Sequence, residues 1–264
     1  MSFPLTWLYA PGDRPAVVRK ALVSGADVVI VDLEDAVAPD RKAYALAATA
    51  DLLADPHPVP VHVRVHAPRD IPPLAALPGL RGFRLPKVTH ATDIQRIADE
   101  FPGIPLYPLL ENALAVEHAY AIASAHPSVH GVGLGEADLR ADLGVRDDRG
   151  LDWARGRIVV AARAAALPPP AQSVHPDIRD LDTLAASCAR GRLMGFLGRA
   201  AIHPRQLPVI EQAYLPTPDE IAAAEEVVKA AQTEEGALAL PDGRFVDAAV
   251  VEGARRILTL AARV

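Results

Sequence analysis

The chain has 264 residues, half of them hydrophobic, and a formal net charge of −6 at pH 7. This apolar content is enough for a large buried core, and the lysines and arginines are scattered without the basic patch that nucleic-acid binding requires. The single cysteine, Cys188, excludes an intramolecular disulfide framework and a thiolate metal cluster. No apolar stretch approaches the roughly 18 residues of a membrane span, and no signal peptide is evident, so we expect a soluble cytoplasmic protein.

Eight short apolar or β-branched runs recur along the chain, each followed by a turn and a longer segment of helical period. The predicted strands cover residues 6–10, 27–33, 59–65, 82–87, 104–110, 129–135, 171–175 and 198–203. Strict alternation of strand and helix predicts a parallel sheet, because each parallel pairing needs a crossover. Eight such units favour an α/β fold of the closed (β/α)8 TIM-barrel type. A doubly wound sheet would want a Gly-rich phosphate turn, which the segment APGDRP does not match.

The eighth unit ends before residue 214. We therefore predict a catalytic barrel domain over residues 1–213 and a helical C-terminal tail over residues 214–264. The tail is predicted to contain a long helix, a hairpin at LALPDGRFV and a final helix. Tails of this kind commonly pack on the barrel or on a neighbouring subunit, so we expect an oligomer.

Charged side chains follow nearly every predicted strand, at the end of the barrel where active sites lie. Ordinary loops at this position use Gly, Asn, Ser and Pro, so solvation alone does not explain the pattern. The charged set is Arg14, Asp32, Glu34, Asp35, Arg64, Lys87, Glu111, Glu136, Asp138, His175, Asp177 and His203.

Two of these acids, Glu111 and Asp138, follow the adjacent strands five and six and could chelate one hard cation, with water and substrate oxygens completing its coordination. Mg²⁺ suits this arrangement better than Zn²⁺, because no cysteine ligand is available and the histidines follow other strands. Either acid alone could instead cap a helix or lie on the barrel rim.

Arg64 lies within the alternating run VHVRV, so its guanidinium could enter the barrel mouth and bind a substrate carboxylate in bidentate fashion. A structural salt bridge to Asp32 or Glu34 is the competing interpretation, and both roles are compatible. Asp32 and Glu34 share strand parity and could both face the centre. We expect them to hold metal-bound water, Arg64 or Lys87 in place, and we retain His203 as a candidate for ligand contact.

Eight segments of the chain together resemble the citrate lyase β-subunit-like (CitE-like) branch of the HpcH/HpaI aldolase and acyl-CoA lyase superfamily. In order, they are LYAPGDRP, VVIVDLEDAVAPDRKAYA, VRV, LPKV, LLENALAV, GVGLGEADLRADLG, GFLGRAAIHPRQL and VDAAVVEGARRIL. The resemblance implies a TIM barrel, usually trimeric, that uses Mg²⁺ and no organic cofactor. The implied reaction cleaves or forms a 3-hydroxyacyl-CoA thioester such as citryl-, malyl- or citramalyl-CoA, with an acyl-CoA and a 2-keto acid on the other side.

By the same resemblance, Glu111 and Asp138 correspond to the Mg²⁺ ligands, and Arg64 to the arginine that binds the keto-acid carboxylate. Asp247 matches a C-terminal aspartate that reaches a neighbouring subunit's active site as acid or base. The implied catalytic set is therefore Arg64, Glu111 and Asp247.

Arg14 and Lys20 fall where related lyases contact the thioester substrate, with Tyr9 beside them. The full set of expected substrate-binding residues is Tyr9, Arg14, Lys20, Asp32, Glu34, Arg64, Lys87, Glu111 and His203.

Two other functions remain open. A class II pyruvate-type aldolase acting on a free hydroxy-keto acid would share the metal and Arg64 but would not need Arg14, Lys20 or Asp247. A catalytically silent acyl-CoA-binding subunit would need no turnover at all. The thioester carrier could be CoA or an acyl carrier protein.

Overall fold

Seven parallel strands form one curled sheet in the structure, a computed structural model that describes residues 3–233, 237–240 and 242–263. Their order across the sheet is β6-β5-β4-β3-β2-β1-β7. The strands are β1 Thr6–Pro11, β2 Val28–Asp32, β3 Val61–Arg64, β4 Leu80–Leu85, β5 Leu106–Leu110, β6 Gly133–Leu134 and β7 Arg199–Ala201. Strands β1 to β6 pair in chain order, and β7 returns to pair with β1, so the sheet curls round on itself.

The predicted strand at residues 171–175 completes the circle without a regular ladder. Gln172 forms one parallel bridge with Arg199 of β7. On the other side, the Ser173 hydroxyl donates to the carbonyl of Leu134 in β6 and accepts from the backbone N–H of Glu136 at 3.4 Å. A side chain therefore bridges the seam where a backbone ladder was expected, and the predicted TIM-barrel fold class is confirmed.

Glycines occupy the inward positions at β6 because large side chains from β5 extend across these positions. Leu109 pairs with Gly133 in the register, and a Cβ built at Gly133 would lie 2.7 Å from Leu109 Cδ2. A Cβ at Gly135 would lie 2.5 Å from Glu111 Cγ. The same glycines weaken the strand, since each loses more backbone entropy on folding than other residues. This explains why β6 is much shorter than the predicted run of residues 129–135.

Helices follow the strands, and those of the barrel pack their apolar faces on the sheet. In α4, Ile94, Ile97 and Ala98 are buried with the i, i+3, i+4 spacing of an amphipathic helix. The segment of helical period that follows the fifth predicted strand, residues 113–125, forms two helices that meet at His118, whose ring Nδ1 lies 2.8 Å from the Thr89 carbonyl oxygen. None of the described helices is both long and apolar enough to cross a membrane. The helices are α1 Pro15–Ala21, α2 Lys42–Leu53, α3 Pro72–Ala75, α4 Ala91–Glu100, α5 Ala113–Glu117, α6 Ala119–Ala123, α7 Glu136–Leu143, α8 Asp152–Ala164, α9 Leu181–Leu193, α10 Leu207–Tyr214, α11 Pro218–Thr233 and α12 Ala248–Ala261.

The chain divides into two compact units, one of residues 4–213 and one formed mainly by the described residues from 214 onward. In the second unit, β8 Leu238–Ala239 pairs antiparallel with β9 Phe245–Val246, which confirms the predicted hairpin. Residues 234–236, 241 and 264 of the predicted tail lie outside the described residues. The core of this unit consists of Ala224, Val227, Leu240, Val246 and Ala254.

Packing at the seam gives a stability prediction. Gly191 in α9 lies against Gln172, and an added Cβ would overlap that buried amide. We expect Gly191→Ala to lower the free energy of unfolding by about 1–3 kcal/mol, the usual cost of overpacking. In α8 a Cβ at Gly156 meets nothing within 4 Å, so Gly156→Ala should be neutral or stabilising by up to about 1 kcal/mol. Urea unfolding followed by circular dichroism measures both, and equal effects would contradict the packing argument.

Candidate active site

An arginine surrounded by three carboxylates lies at the carboxyl end of the barrel. Arg64 Nε and Nη2 donate to the two oxygens of Asp32, each at 2.7 Å. Nη1 lies 3.1 Å from Glu34 Oε2 and 3.2 Å from Asp35 Oδ2. Burial alone would lower the pKa of Arg64, but the hydrogen bonds and charge of Asp32 outweigh it and raise that pKa above its usual value. The structural salt bridge that the sequence left open is therefore present.

Asp32 also organises the loop that follows β2. Its two carboxylate oxygens accept from the backbone N–H groups of Glu34 at 2.9 Å and Ala36 at 3.0 Å. The ammonium of Lys42 secures the same loop from outside by donating to the carbonyls of Leu33, at 2.8 Å, and Glu34, at 2.5 Å. Together with the two bonds from Arg64, the carboxylate of Asp32 thus accepts four hydrogen bonds from the protein itself. This is the arrangement expected of a residue that holds other site residues in place.

Lys87, directly after β4, connects two buried acids. Its Nζ lies 2.5 Å from Glu34 Oε1, and its backbone N–H donates to Glu111 Oε2 at 3.0 Å. The residue has φ of 56°, a left-handed conformation that lysine rarely adopts. Strain of this kind persists where surrounding contacts hold it, and it is common at functional sites. Here it directs a backbone donor at Glu111.

Glu111 is a buried carboxylate with little to neutralise it. Its side chain follows β5, and only 3% of the residue is exposed. Burial, and next the charge of Glu34, raise the pKa of Glu111 to about 7. The charge of Asp138 acts in the same direction, and Gly135, three residues before Asp138, lies against the Glu111 side chain. A buried acid held in this way has the chemistry of a cation ligand.

Asp138 lies exposed in the first turn of α7. The start of that helix is anchored by its neighbour Glu136, whose two carboxylate oxygens accept from Arg155 at 2.9 and 2.6 Å. Arg155 binds Asp148 as well, at 2.8 Å. Within the described ranges, no group of three or more His, Cys, Asp or Glu residues is arranged to hold a metal. Glu111 and Asp138 would therefore leave most coordination positions to water and substrate.

The residues expected at the thioester do not all lie together. Tyr9 lies inside the barrel, its ring centroid 5.1 Å from the guanidinium carbon of Arg64, and burial raises its pKa. Arg14 precedes α1 at the mouth with 67% of its side chain exposed. Lys20 lies in the last turn of the same helix, roughly 9 Å further along the axis at 1.5 Å per residue. The structure therefore places Lys20 at the opposite end of α1 from Arg14.

Two predicted residues form helix caps. His203 Nδ1 accepts from the backbone N–H of Arg205 at 3.1 Å at the start of a 3₁₀ turn. Asp247 Oδ1 accepts from Val250 N at 2.9 Å and begins α12 in the C-terminal unit. A functional role for either residue remains a prediction.

Sequence reasoning missed Arg84, a buried cation of β4. Arg84 pairs with Arg64 and Tyr107 in the register of the sheet, and it is 8% exposed. Its guanidinium carbon lies 5.2 Å from the Tyr107 ring centroid and 5.9 Å from that of Trp7. The available signal was a charged residue inside the strand sequence LRGFRL, at the parity of Gly82.

Comparison with known proteins assigns the chain to a family. The profile of the HpcH/HpaI aldolase/citrate lyase family matches residues 5–204. The chain belongs to this family. Its relatives include a (3S)-malyl-CoA thioesterase of Cereibacter sphaeroides, 35% identical over 270 residues that cover 96% of this chain and 93% of the relative. A citrate lyase subunit beta-like protein of Mycobacterium tuberculosis is 35% identical over 266 residues, with the same coverage.

Solved structures of the HpcH/HpaI family agree with the fold. CitE from M. tuberculosis in complex with magnesium, acetoacetate and coenzyme A superposes with a TM-score of 0.84 at 32% identity, over 98% of both chains. The M. tuberculosis citrate lyase beta subunit complexed with oxaloacetate and magnesium gives a TM-score of 0.70 at 32% identity, over 81% of this chain and 97% of that one. The predicted CitE-like family membership is confirmed.

The raised pKa of Glu111 predicts an unusual pH dependence of stability. Because this pKa is about 7 in the folded state against 4.5 ordinarily, the folded state holds the proton more tightly and stability falls as pH rises from 4.5 through 7. Full ionisation costs on the order of 3 kcal/mol. Without divalent cations, Glu111→Gln should therefore be more stable than wild type above pH of about 8 and show no such advantage near pH 4.

Thermal unfolding across this pH range, in the presence of a chelator, measures the difference. Glu117→Gln, at an exposed position of α5, is the matched control and should leave the curve unchanged. Added Mg²⁺ should stabilise wild type and not Glu111→Gln. Parallel pH curves for wild type and Glu111→Gln would show that the buried carboxylate is not the source.

Proposed function

We propose that this protein is a Mg²⁺-dependent carbon–carbon lyase. Its substrate is a 3-hydroxyacyl-CoA thioester such as citryl-, malyl- or citramalyl-CoA, and the other side of the reaction is an acyl-CoA and a 2-keto acid. The observation that carries the proposal is the buried carboxylate of Glu111 directly after β5, which accepts a backbone N–H from Lys87 at 3.0 Å and has no side-chain cation paired with it among the described residues, so that a divalent cation would neutralise it. Relatives named as malyl-CoA lyases and CitE complexes with magnesium and coenzyme A support it.

Glu111 and Asp138 would hold the ion. The site fits a divalent cation because Lys87 contacts Glu111 through a backbone N–H, while its ammonium is directed at Glu34. Bound Mg²⁺ supplies positive charge that stabilises a developing oxyanion on the keto-acid fragment. Asp32 and Glu34 would support the site through Arg64 and Lys87.

Arg64 would orient the substrate carboxylate. A guanidinium has five N–H groups; two bind Asp32, and Nη1 faces Glu34 and Asp35. A further N–H on Nη2 remains for a ligand. Because Asp32 fixes the plane of the guanidinium, this donor is positioned before substrate arrives, which lowers the entropic cost of binding.

Asp247 would act as acid or base from a neighbouring subunit of a homotrimer. Its Oδ1 caps α12, which fixes the carboxylate and leaves Oδ2 for a proton at the acyl fragment. The exposed Arg14 at the mouth would bind the CoA moiety, with Tyr9 deeper in the barrel; the position of Lys20 gives it less support. The proposed location is the cytoplasm, and the buried free thiol of Cys188 fits a reducing compartment.

The direct test is a screen of citryl-, malyl-, citramalyl- and hydroxymethylglutaryl-CoA with Mg²⁺, with the keto acid trapped as its hydrazone. We expect turnover that a chelator abolishes and that Glu111→Ala lowers by at least about 100-fold, because charge stabilisation at the keto oxygen is lost. Glu117→Ala is the control. Arg14→Ala should raise KM for the thioester with a smaller effect on kcat, since it binds a remote part of the substrate.

Other outcomes favour the alternatives. Cleavage of free hydroxy-keto acids, unchanged in Arg14→Ala and Lys20→Ala, would identify a class II aldolase. Binding of acyl-CoA without turnover of any thioester would identify a silent subunit. Activity on acyl carrier protein thioesters alone would replace CoA as the carrier.

The trimer proposal predicts complementation between inactive variants. Asp247→Asn and Glu111→Gln should each be inactive as homo-oligomers. Co-expressed, they should regain activity in about a quarter of the sites, because random assembly pairs an intact barrel with an intact neighbouring tail at that frequency. Activity of the purified mixed oligomer is the measurement. Absence of rescue in oligomers shown by mass spectrometry to contain both chains would contradict a shared site.

A further inference from the structure

The barrel interior holds a second arginine whose charge meets no carboxylate. Among the ion pairs of the described residues, none includes Arg84, and its Nε is buried without a hydrogen-bond partner. Arg64 and Arg155, in contrast, each bind a carboxylate through two nitrogen atoms. Arg199 is also buried without an ion pair among the described residues, but its Nη1 donates to the Ser187 hydroxyl at 2.9 Å, whereas the Arg84 guanidinium makes no hydrogen bond in that part of the chain.

An arginine in this position is energetically costly. The guanidinium stays protonated in proteins, and a buried charge without a counter-ion costs several kcal/mol. The faces of Trp7 and Tyr107, at 5.9 and 5.2 Å, offset only part of this cost. When the protein itself does not compensate such a cost, the buried charged group is typically one that pairs with a bound ligand.

Arg84 lies next to the candidate active site. It is opposite Arg64 in the parallel register of β3 and β4. Tyr9, whose ring centroid lies 5.1 Å from the guanidinium carbon of Arg64, is the neighbour shared by the two arginines, because the positive charges of both lower its pKa against the larger effect of burial. Arg84 also retains 8% exposure. The guanidinium lies 5.9 Å from the ring of Trp7, four residues before the position in β1 that is level with Arg64, so it is directed inward from the carboxyl end of the barrel.

The charge balance of the site calls for further positive charge. Five carboxylates, those of Asp32, Glu34, Asp35, Glu111 and Asp138, gather around the two cations Arg64 and Lys87. A divalent ion at Glu111 and Asp138, together with Arg84, would bring the site to neutrality. Without both, a substrate with two negative groups would be repelled.

We propose that Arg84 is a specificity-determining residue that binds a second carboxylate of the keto-acid fragment, so that the enzyme selects a 2-keto dicarboxylate over a monocarboxylate. One carboxylate lies at Arg64 and the metal ligands, and the other reaches inward to Arg84. This inference rests on the proposed function for the substrate's chemical class, whereas anion binding by Arg84 is measurable without any thioester.

The test compares binding of oxaloacetate and pyruvate, with Mg²⁺, by isothermal titration calorimetry. Arg84→Met removes the charge and keeps an unbranched apolar side chain. Because a hydrogen-bonded charge pair contributes about 1.5–3 kcal/mol, we expect a loss of about 10- to 100-fold in oxaloacetate affinity and less than about threefold for pyruvate. Arg81→Met, at an exposed position of the same strand, is the matched control and should change neither affinity.

Unfolding curves first establish that Arg84→Met is folded. If it is not, Arg84→Lys serves instead: it keeps the charge but loses the planar fork, and should lower oxaloacetate affinity selectively by a smaller factor. Equal losses for both keto acids, or no loss for either, would overturn the proposal. Failure of the lyase proposal is distinguishable, because it appears as absent thioester cleavage while the selective loss of oxaloacetate binding in the variant persists.

Discussion

The paired hydrogen bonds between Asp32 and Arg64 are the contact on which the rest of the site depends. Asp32 fixes the guanidinium plane and, with the same oxygens, the loop that carries Glu34. Glu34 then binds Lys87, and the strained backbone of Lys87 donates to Glu111. Removing one partner of such a buried pair typically costs about 3–5 kcal/mol. Position is thus transmitted across four strand ends, from β2 to β5, through ion pairs and the backbone hydrogen bonds that join them.

Two buried ionisable groups at the candidate site, one acid and one base, have no side-chain counter-ion among the described residues. Glu111 keeps its proton up to a pKa of about 7, and Arg84 has no acidic partner. An interior optimised only for stability would have paired or removed both, as Asp148 and Arg155 are paired elsewhere. Such local departures from stability rules mark places where sequence is constrained by something other than folding.

The fold was predictable because the alternation of strands and helices follows from local sequence patterns. Strands β1 to β5 lie within two residues of the predicted bounds in most cases, since their apolar β-branched runs need no tertiary information. The run at residues 171–175 fails to form a ladder because pairing depends on neighbours that local pattern does not specify. The segment of helical period over residues 113–125 likewise divides into two helices where His118 finds a tertiary partner.

The site was predictable where a charge directly follows an apolar run, as at Asp32, Lys87 and Glu111. The site was less predictable where the role of a residue depends on the direction in which its side chain points. Helical rise moves Lys20 away from Arg14, and the bidentate bond to Asp32 was only one of two roles open to Arg64. Arg84 was not predicted because it lies within a strand. For such a residue, the alternation of side chains gives two possible faces, and the closure of the barrel must be known before one of them can be assigned as inward.

The seam at Ser173 is a line along which the barrel wall is weakly hydrogen-bonded and easily deformed. Between β6 and residues 171–175, one hydroxyl stands in for the row of amide bonds that joins other neighbours. Separation there would break few hydrogen bonds, so this edge belongs to the low-stability end of the fold's local opening equilibria. Asp138 lies in α7, four residues after β6, whereas Glu111 directly follows β5, which pairs with a strand on each side. Glu111 thus follows a strand with a ladder on each side, whereas Asp138 lies beside the seam that one hydroxyl bridges, and opening of that seam would change the distance between the two carboxylates.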